Sequence, residues 1–152
     1  MKNILIVIPA YNEENTIGIL VKKINKYFKV LVINDGSTDQ TSLIAKKSGA
    51  KVISLNKNCG VDSAINEGFK FAKKNNFNYV VTIDADGQHS VKDLRKIAKI
   101  IKKNEKIDIV ISERRNFPRF SEKIFSLYTL YRFGVKDLLS GLKAYKIIIF
   151  NR

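Results

Sequence analysis

The sequence predicts an α/β domain with a largely parallel central sheet flanked by helices, and three observations lead there. Short apolar runs alternate with longer stretches of helical periodicity, an order that calls for parallel strands joined by right-handed crossovers. The strand-like runs are apolar at consecutive positions, as in strands covered on both faces. Most of them exit into Asn, Asp, Ser or Gly, residues that turn a chain and cap the helix that follows. The 152 residues, 45% of them hydrophobic, suit a single domain over 1–152 with a sizeable core.

The elements follow in order. A first strand over 3–8 (Ile4-Leu5-Ile6-Val7-Ile8) leads through Pro9-Ala10-Tyr11-Asn12-Glu13-Glu14 to a helix over 16–28 with apolar Ile17, Leu20, Val21 and Ile24. A second strand over 30–33 exits into Asn34-Asp35-Gly36-Ser37-Thr38-Asp39, whose hydroxyls and carboxylates can cap a helix ending near Lys47, with Gly49 as its stop. A third strand over 51–55 reaches Asn58-Cys59-Gly60, and a helix over 61–74 carries Ala64, Gly68 and Ala72 near one face, small residues suited to close packing against the sheet or a ligand. A fourth strand, 79–83, precedes a helix over 90–103 opened by the capping-box pattern Ser90-x-x-Asp93. A fifth strand over 107–111 ends in Ser112-Glu113-Arg114-Arg115.

The fourth strand carries the chemistry. Tyr79 to Ile83 is a buried-strand pattern that stops at Asp84-Ala85-Asp86-Gly87-Gln88-His89. In an extended segment residues i and i+2 face the same side, so Asp84 and Asp86 are expected to aim beyond the strand's carboxyl end, where open α/β sheets bind ligands. Two carboxylates without nearby cysteine suit Mg²⁺ or Mn²⁺, whose open positions the oxygens of a diphosphate fill. Asp-x-Asp-Gly is also ordinary turn chemistry, so the motif alone leaves both readings open.

Residues 116–152 differ in character. Phe117, Phe120, Phe125, Tyr128, Tyr131 and Phe133 interleave with Arg119, Lys123, Arg132 and Lys136, and 121–133 reads as a helix with an apolar stripe and a basic flank. Such a helix suits a membrane interface, although an aromatic stripe more commonly forms core. An apolar segment over 147–150 closes the chain, where one further element is expected.

Twenty-eight Lys and Arg against fourteen Asp and Glu give a net charge of +14, which favours an anionic partner: a phosphorylated substrate or an anionic membrane surface. No recognition helix, zinc finger or aromatic-basic RNA motif is present, so specific nucleic-acid binding is not expected. The N-terminus enters strand sequence at once and no apolar run reaches membrane-span length, so neither a signal peptide nor an anchor is expected. Cys59, the single cysteine, has no internal disulfide partner and fits a cytoplasmic location, with peripheral attachment at the inner membrane face as the extension. A phosphate-accepting receiver domain would need an acid pair after the first strand and a lysine after the fifth, and a sugar-nucleotide pyrophosphorylase a Gly-rich, Arg-bearing loop after the first; neither pattern occurs.

Taken in sequence, Val7-Ile8-Pro9-Ala10-Tyr11-Asn12-Glu13-Glu14, Val32-Ile33-Asn34-Asp35-Gly36-Ser37-Thr38-Asp39, Asn58-x-Gly60, Asp84-Ala85-Asp86-Gly87-Gln88-His89, Ser112-Glu113-Arg114 and Asp137-x-x-Ser140-Gly141 resemble the inverting, family-two type of nucleotide-sugar glycosyltransferases with the GT-A fold. The resemblance spans nearly the whole chain and is nearest to the polyprenyl-phosphate, dolichol-phosphate mannose synthase-like branch. It implies that Pro9, Tyr11, Glu13 and Asp35 line a nucleoside pocket for a UDP- or GDP-sugar, with Asp35 accepting from a base N–H. It implies Asp84 near the ribose or the metal, Asp86 and Gln88 on the Mg²⁺ or Mn²⁺, and Arg114 at the phosphates. It divides the chain into a donor-binding half at about 1–115 and an acceptor-side segment at about 116–152, C-terminally short.

The acceptor decides the mechanism. A glycan hydroxyl would need a general base, and Asp137 is the motif carboxylate placed for it. A polyprenyl phosphate is already anionic and needs none, and Arg119 and Arg132 could clamp it. Two positions depart from the family pattern: Asn34 stands where an acid is usual, and Glu113 where a small residue is common. The alternative to a transferase is a catalytically degenerate or truncated relative that binds a sugar nucleotide or a partner without transfer.

Overall fold

The computed structural model describes residues 3–86, 90–104, 106–113 and 120–151. Six strands, β1 (Ile4–Ala10), β2 (Lys29–Asn34), β3 (Lys51–Ser54), β4 (Tyr79–Thr82), β5 (Ile109–Ile111) and β6 (Lys143–Lys146), form one sheet in the order β3-β2-β1-β4-β6-β5. The first four are parallel, and β6 runs antiparallel between β4 and β5. Among the described residues there are also five α-helices, α1 (Ile17–Asn25), α2 (Thr41–Lys47), α3 (Val61–Lys74), α4 (Val91–Lys103) and α5 (Phe120–Phe133), and a 3-10 helix (Ile147–Asn151). This is the α/β architecture with a mostly parallel sheet that the alternating pattern predicts.

The consecutive apolar positions of β1 split between two cores. Ile4, Ile6 and Ile8 pack with Ile17, Val21 and Ile24 of α1 and with Leu94, Ile97 and Ile101 of α4. Leu5 and Val7 face the other way, towards Ala64 and Ala72 of α3 and Ile147. Both faces are therefore covered, which is why β1 tolerates no alternation. On the α3 side the small residues serve packing: a Cβ on Gly68 would lie 2.5 Å from Val7 Cγ1, so the helix backbone packs directly on the Val7 side chain.

Helix ends obey the local chemistry. The capping box at α4 is complete, with Ser90 accepting from the Asp93 N–H and the Asp93 carboxylate accepting from the Ser90 N–H. Gly49, at φ +96°, ends α2 in a conformation that side chains rarely adopt.

Two features differ from the sequence expectation. Lys143-Ala144-Tyr145-Lys146 is a strand: Ala144 faces Val81 of β4 on one side and Val110 of β5 on the other. Its short, lysine-flanked run carries little strand signal, yet it places β5 one position further out. The apolar 147–150 segment that follows it lies in the 3-10 helix Ile147–Asn151. The second difference is α5, which buries Ser126 and Thr129 and leaves its large apolar side chains exposed.

Candidate active site

The carboxyl ends of β1, β2, β3 and β4 open on one edge of the sheet, and the loops there are tied to one another. Asn12, at φ +54°, turns the chain after β1; its Oδ1 accepts from the Thr38 N–H at 2.9 Å and its own N–H donates to Ser37 Oγ at 3.0 Å. The Glu14 N–H donates to Asp39, and the Gln40 N–H donates back to Glu14. Asp39 also accepts from the Thr41 N–H and hydroxyl. Burial raises the Asp39 pKa, but the bonds from Thr41 and Glu14 outweigh it and hold the carboxyl below its ordinary range.

Asp35 is buried, and its two oxygens accept from the N–H groups of Cys59 at 2.8 Å and Gly60 at 2.9 Å. It thereby fixes the loop from β3 to α3 against the end of β2. Each carboxylate oxygen retains a further lone pair, so a base N–H remains a chemically admissible donor to it. Gly36 permits the same contact from its side: a Cβ there would lie 2.4 Å from the Lys57 carbonyl carbon. Pro9, opposite Ile33, is the last residue but one of β1, and Tyr11 stands exposed just beyond the strand's end at Ala10. Glu13 has a different setting from the others. Its carboxylate accepts from the Thr16 hydroxyl at 2.5 Å and its carbonyl from the Thr16 and Ile17 N–H groups, which anchors the start of α1.

On the neighbouring strand, β4 ends at Thr82, and residues 85 and 86 already lie in a turn. Strand alternation therefore does not by itself align Asp84 and Asp86. Burial of Ala85 in the core does the sorting, leaving Asp84 half-buried and Asp86 exposed. Asp84 lies against Gly141, where a Cβ would fall only 1.7 Å from Asp84 Oδ2. The Thr82 hydroxyl donates to the Gly141 carbonyl at 3.1 Å, with the Lys143 carbonyl at 3.4 Å, and holds that contact in place. The Asp137-x-x-Ser140-Gly141 segment and the Asp-x-Asp turn, more than fifty residues apart in sequence, thus meet at the sheet edge. Thr82 is a site residue that sequence reasoning missed. Its signal was a hydroxyl inside an apolar strand, which burial obliges to find a partner.

Across β6, an open cleft of about 500 Å³ is lined by Ile111, Ser112, Glu113, Val135, Lys136 and Asp137, among others. Asp137 is buried at its wall, and Lys136 forms an ion pair with Glu113, offsetting the charge of that unusual acid. Gln88, Arg114 and Arg119 lie outside the described residues.

A divalent ion at this edge would meet Asp84 and Asp86; among the described residues no group of three or more His, Cys, Asp or Glu is clustered as a metal cage. That donor set fits Mg²⁺ or Mn²⁺ in a shared role, since such ions are commonly held by one or two carboxylates plus substrate phosphates. Strands lie about 4.8 Å apart, so the carboxyl ends of β2 and β4, with β1 between, are separated by roughly 10 Å, a span a nucleoside diphosphate can bridge; Asp35 directly follows β2 and Asp84 comes two residues after β4.

Comparison with known proteins bears on the fold and the family. The family model described as glycosyl transferase family 2 matches residues 5–147. An uncharacterised protein of Methanocaldococcus jannaschii is 36% identical over 93% of this chain and 64% of its own length. The UDP-N-acetylglucosamine–dolichyl-phosphate N-acetylglucosaminyltransferase of Methanococcus voltae is 31% identical over 95% of this chain and 69% of its own. Among solved structures, glucosyl-3-phosphoglycerate synthase from Mycobacterium tuberculosis, in complex with Mn²⁺, UDP-glucose and glycerol 3-phosphate, superposes with a TM-score of 0.81 at 25% identity, covering 97% of this chain and 58% of that one. The chain thus spans somewhat under two thirds of the first of these relatives. With a GT-A fold, a family match along nearly its whole length and the Asp-x-Asp turn at the carboxyl edge of its sheet, the chain belongs to glycosyl transferase family 2.

Proposed function

We propose that this chain binds a UDP- or GDP-linked sugar across the carboxyl edge of β2, β1 and β4 and transfers the sugar, with inversion, to a polyprenyl phosphate. The observation that carries the reading is the meeting of Asp84 with Gly141. It joins the donor-side turn to the acceptor-side segment at one point, as a transfer between two substrates requires. In this reading Pro9, Tyr11 and the Asp35-anchored loop receive the nucleoside, and Glu13 supports them through its hold on α1. Asp84 and Asp86, with Gln88, hold a Mg²⁺ or Mn²⁺, which when bound neutralises charge on the departing nucleotide diphosphate. Arg114 adds a fixed cation at the same phosphates.

The acceptor side favours a phosphate over a hydroxyl. A phosphate oxygen attacks without losing a proton, so no base is required at the sugar's opposite face. Asp137 is the carboxylate that would serve a hydroxyl acceptor, but it is buried at the cleft wall. The basic balance of the chain and the dolichyl-phosphate substrate named for the Methanococcus relative both support the anionic acceptor.

Calorimetric titration with UDP and with GDP, each with and without Mn²⁺, tests the donor site. Mn²⁺-dependent binding of one nucleotide, lost in Asp86→Ala, is the expected result. Absence of binding by either nucleotide at millimolar concentration would remove the donor site and, with it, the transferase reading.

A further inference from the structure

The cleft beside β6 already holds an anion supplied by the chain itself: the Glu113 carboxylate forms an ion pair with the Lys136 ammonium. Lys70–Glu67 and Lys96–Asp93 are i,i+3 neighbours on one helix, whereas this pair lies 23 residues apart and joins two separate segments. Glu113 comes just after β5, and the N–H of Ser112 before it donates to the Leu142 carbonyl at 3.0 Å. Lys136 precedes Asp137, whose carbonyl accepts from the Ser140 N–H at 3.4 Å in the turn that leads to Gly141. Both arms of the pair are thus tied to the two residues that flank Gly141, and Gly141 lies against Asp84.

Charge decides what such a pair can do. Among the described residues lining the cleft, Lys136 is the one cation, and Glu113 and Asp137 are acids. An anion entering the cleft finds its counter-charge at Lys136, and Glu113 already occupies that ammonium. We propose that Glu113 is a displaceable stand-in for a phosphate monoester. Lys136 passes from the Glu113 carboxylate to the incoming phosphate, and the pair thereby selects phosphate-bearing acceptors over neutral ones. That this phosphate belongs to the sugar acceptor rests on the proposed transferase reading; the exchange of partners at Lys136 is measured without sugar transfer.

The magnitudes permit the exchange. The two side chains are 49% and 51% exposed, so water screens the pair, and a pair of this kind shifts an equilibrium by at most about fivefold. A phosphate monoester brings about two charges and three acceptor oxygens against the single charge of a carboxylate. Its charge-assisted hydrogen bonds to an ammonium are correspondingly strong. Lysine carries three donors on a flexible stem, so the ammonium changes partner without moving the backbone. With phosphate seated, Glu113 faces a like charge and turns to solvent. A neutral hydroxyl has no charge with which to compete, and in its presence Glu113 stays on Lys136.

Calorimetric titration of the full chain with geranyl phosphate, inorganic phosphate and geraniol tests the exchange, each with and without UDP and Mn²⁺. Wild type is compared with Glu113→Gln, Lys136→Met and the double variant, and circular dichroism checks each fold. Expected is geranyl phosphate binding that tightens about two- to fivefold in Glu113→Gln, the strength of the pair released. It should weaken about tenfold or more in Lys136→Met, which removes a charged hydrogen-bond donor. In the Lys136→Met background the Glu113→Gln gain should be smaller than in wild type, because no ammonium is left to release. Inorganic phosphate should follow the same order and geraniol should respond to neither variant. A pair that only braces the cleft predicts the opposite sign, and weaker phosphate binding in Glu113→Gln would overturn the proposal. An equal gain in both backgrounds would reduce Glu113 to general repulsion and overturn it too. So would geraniol binding that tracks geranyl phosphate, or absence of geranyl phosphate binding by wild type and Glu113→Gln alike. Failure of nucleotide titration beside a positive exchange would remove the donor site and leave the anion site standing; the converse result would remove only the exchange.

Discussion

Replacing Gly141 by Ala tests the contact on which the site turns. Gly141 does not have a left-handed backbone, so alanine is conformationally acceptable there and any effect comes from the methyl group itself. That methyl would lie 1.7, 2.1 and 2.4 Å from Asp84 Oδ2, Cγ and Oδ1, whereas ordinary contact begins at 3.4 Å. The carboxylate must therefore retreat by on the order of 1.5 Å or β6 must give way. Asp84 is half-exposed and can swing towards solvent, so the cost in stability should be moderate, about 1–3 kcal/mol. In the proposed metal site the cost should be larger in proportion, because Gly141 sets the position of Asp84 and loss of the groups that orient a metal ligand typically costs about 10–100-fold in affinity. The assay pairs thermal unfolding with calorimetric nucleotide titration in Mn²⁺. The double variant Gly141→Ala, Asp84→Ala supplies the decisive comparison. If the clash is the cause, removing the carboxylate relieves it, and the double variant unfolds at a higher temperature than Gly141→Ala alone. Additive losses in the double-mutant cycle, or unchanged Mn²⁺-dependent affinity in Gly141→Ala, would refute the reasoning.

Two further predictions bear on the supports of the site. Thr82→Val keeps the shape but leaves the Gly141 carbonyl without its hydroxyl donor, and should cost about 1–2 kcal/mol in urea unfolding. Thr82→Ser, which keeps the hydroxyl, should recover most of that loss. Ser90→Ala removes the α4 cap and should cost about 1 kcal/mol at neutral pH. The Ser90 hydroxyl bond, chiefly, holds the Asp93 carboxyl below its ordinary value of 3.8 in the folded chain, with Lys96 adding to it. A depressed folded pKa stabilises above the unfolded value and is lost as pH falls through the folded one. The stability gap between wild type and Ser90→Ala should therefore be full at neutral pH and narrow on acidification below about pH 4, as followed by thermal unfolding across pH.

The parts of the fold that were legible in the sequence share a physical trait: their signal is local. Ile4 to Ile8 is apolar at every position because both faces are covered, and Ser90-x-x-Asp93 caps its own helix, so neither depends on distant residues. What was illegible depends on partners far along the chain. Lys143-Ala144-Tyr145-Lys146 has weak strand character alone and becomes a strand because β4 and β5 offer two edges to pair. The stripe of α5 was readable as amphipathic, but which face turns inward is decided by neighbours, and here the polar one does. Within the site, Asp84, Asp86, Asp35 and Gly141 stand out by residue type. The roles of Asp35 as a loop anchor and of Thr82 as the clamp on Gly141 exist only once strands 50 or more residues apart, or loops from different crossovers, come together.

The two sides of the site are built on different principles, and this makes the readings separable. On the proposed donor side, Asn12, Glu14, Asp35 and Asp39 each bond backbone groups of another loop, so this edge is ordered before any ligand arrives. On the acceptor side, Lys136 and Glu113 pair across an open cleft, and α5 presents its apolar stripe outward. Among the described residues, these donor-loop bonds run between neighbouring loops and none reaches α5. Replacements confined to the outward face of α5 should therefore leave nucleotide affinity untouched, whereas a change at Gly141 should lower it. If instead replacing Leu127 and Tyr131 by Ser weakened nucleotide binding in calorimetric titration, the stripe would be a structural support of the whole edge. The polar inward face of α5 argues against that, since a support would present its apolar side to what it holds.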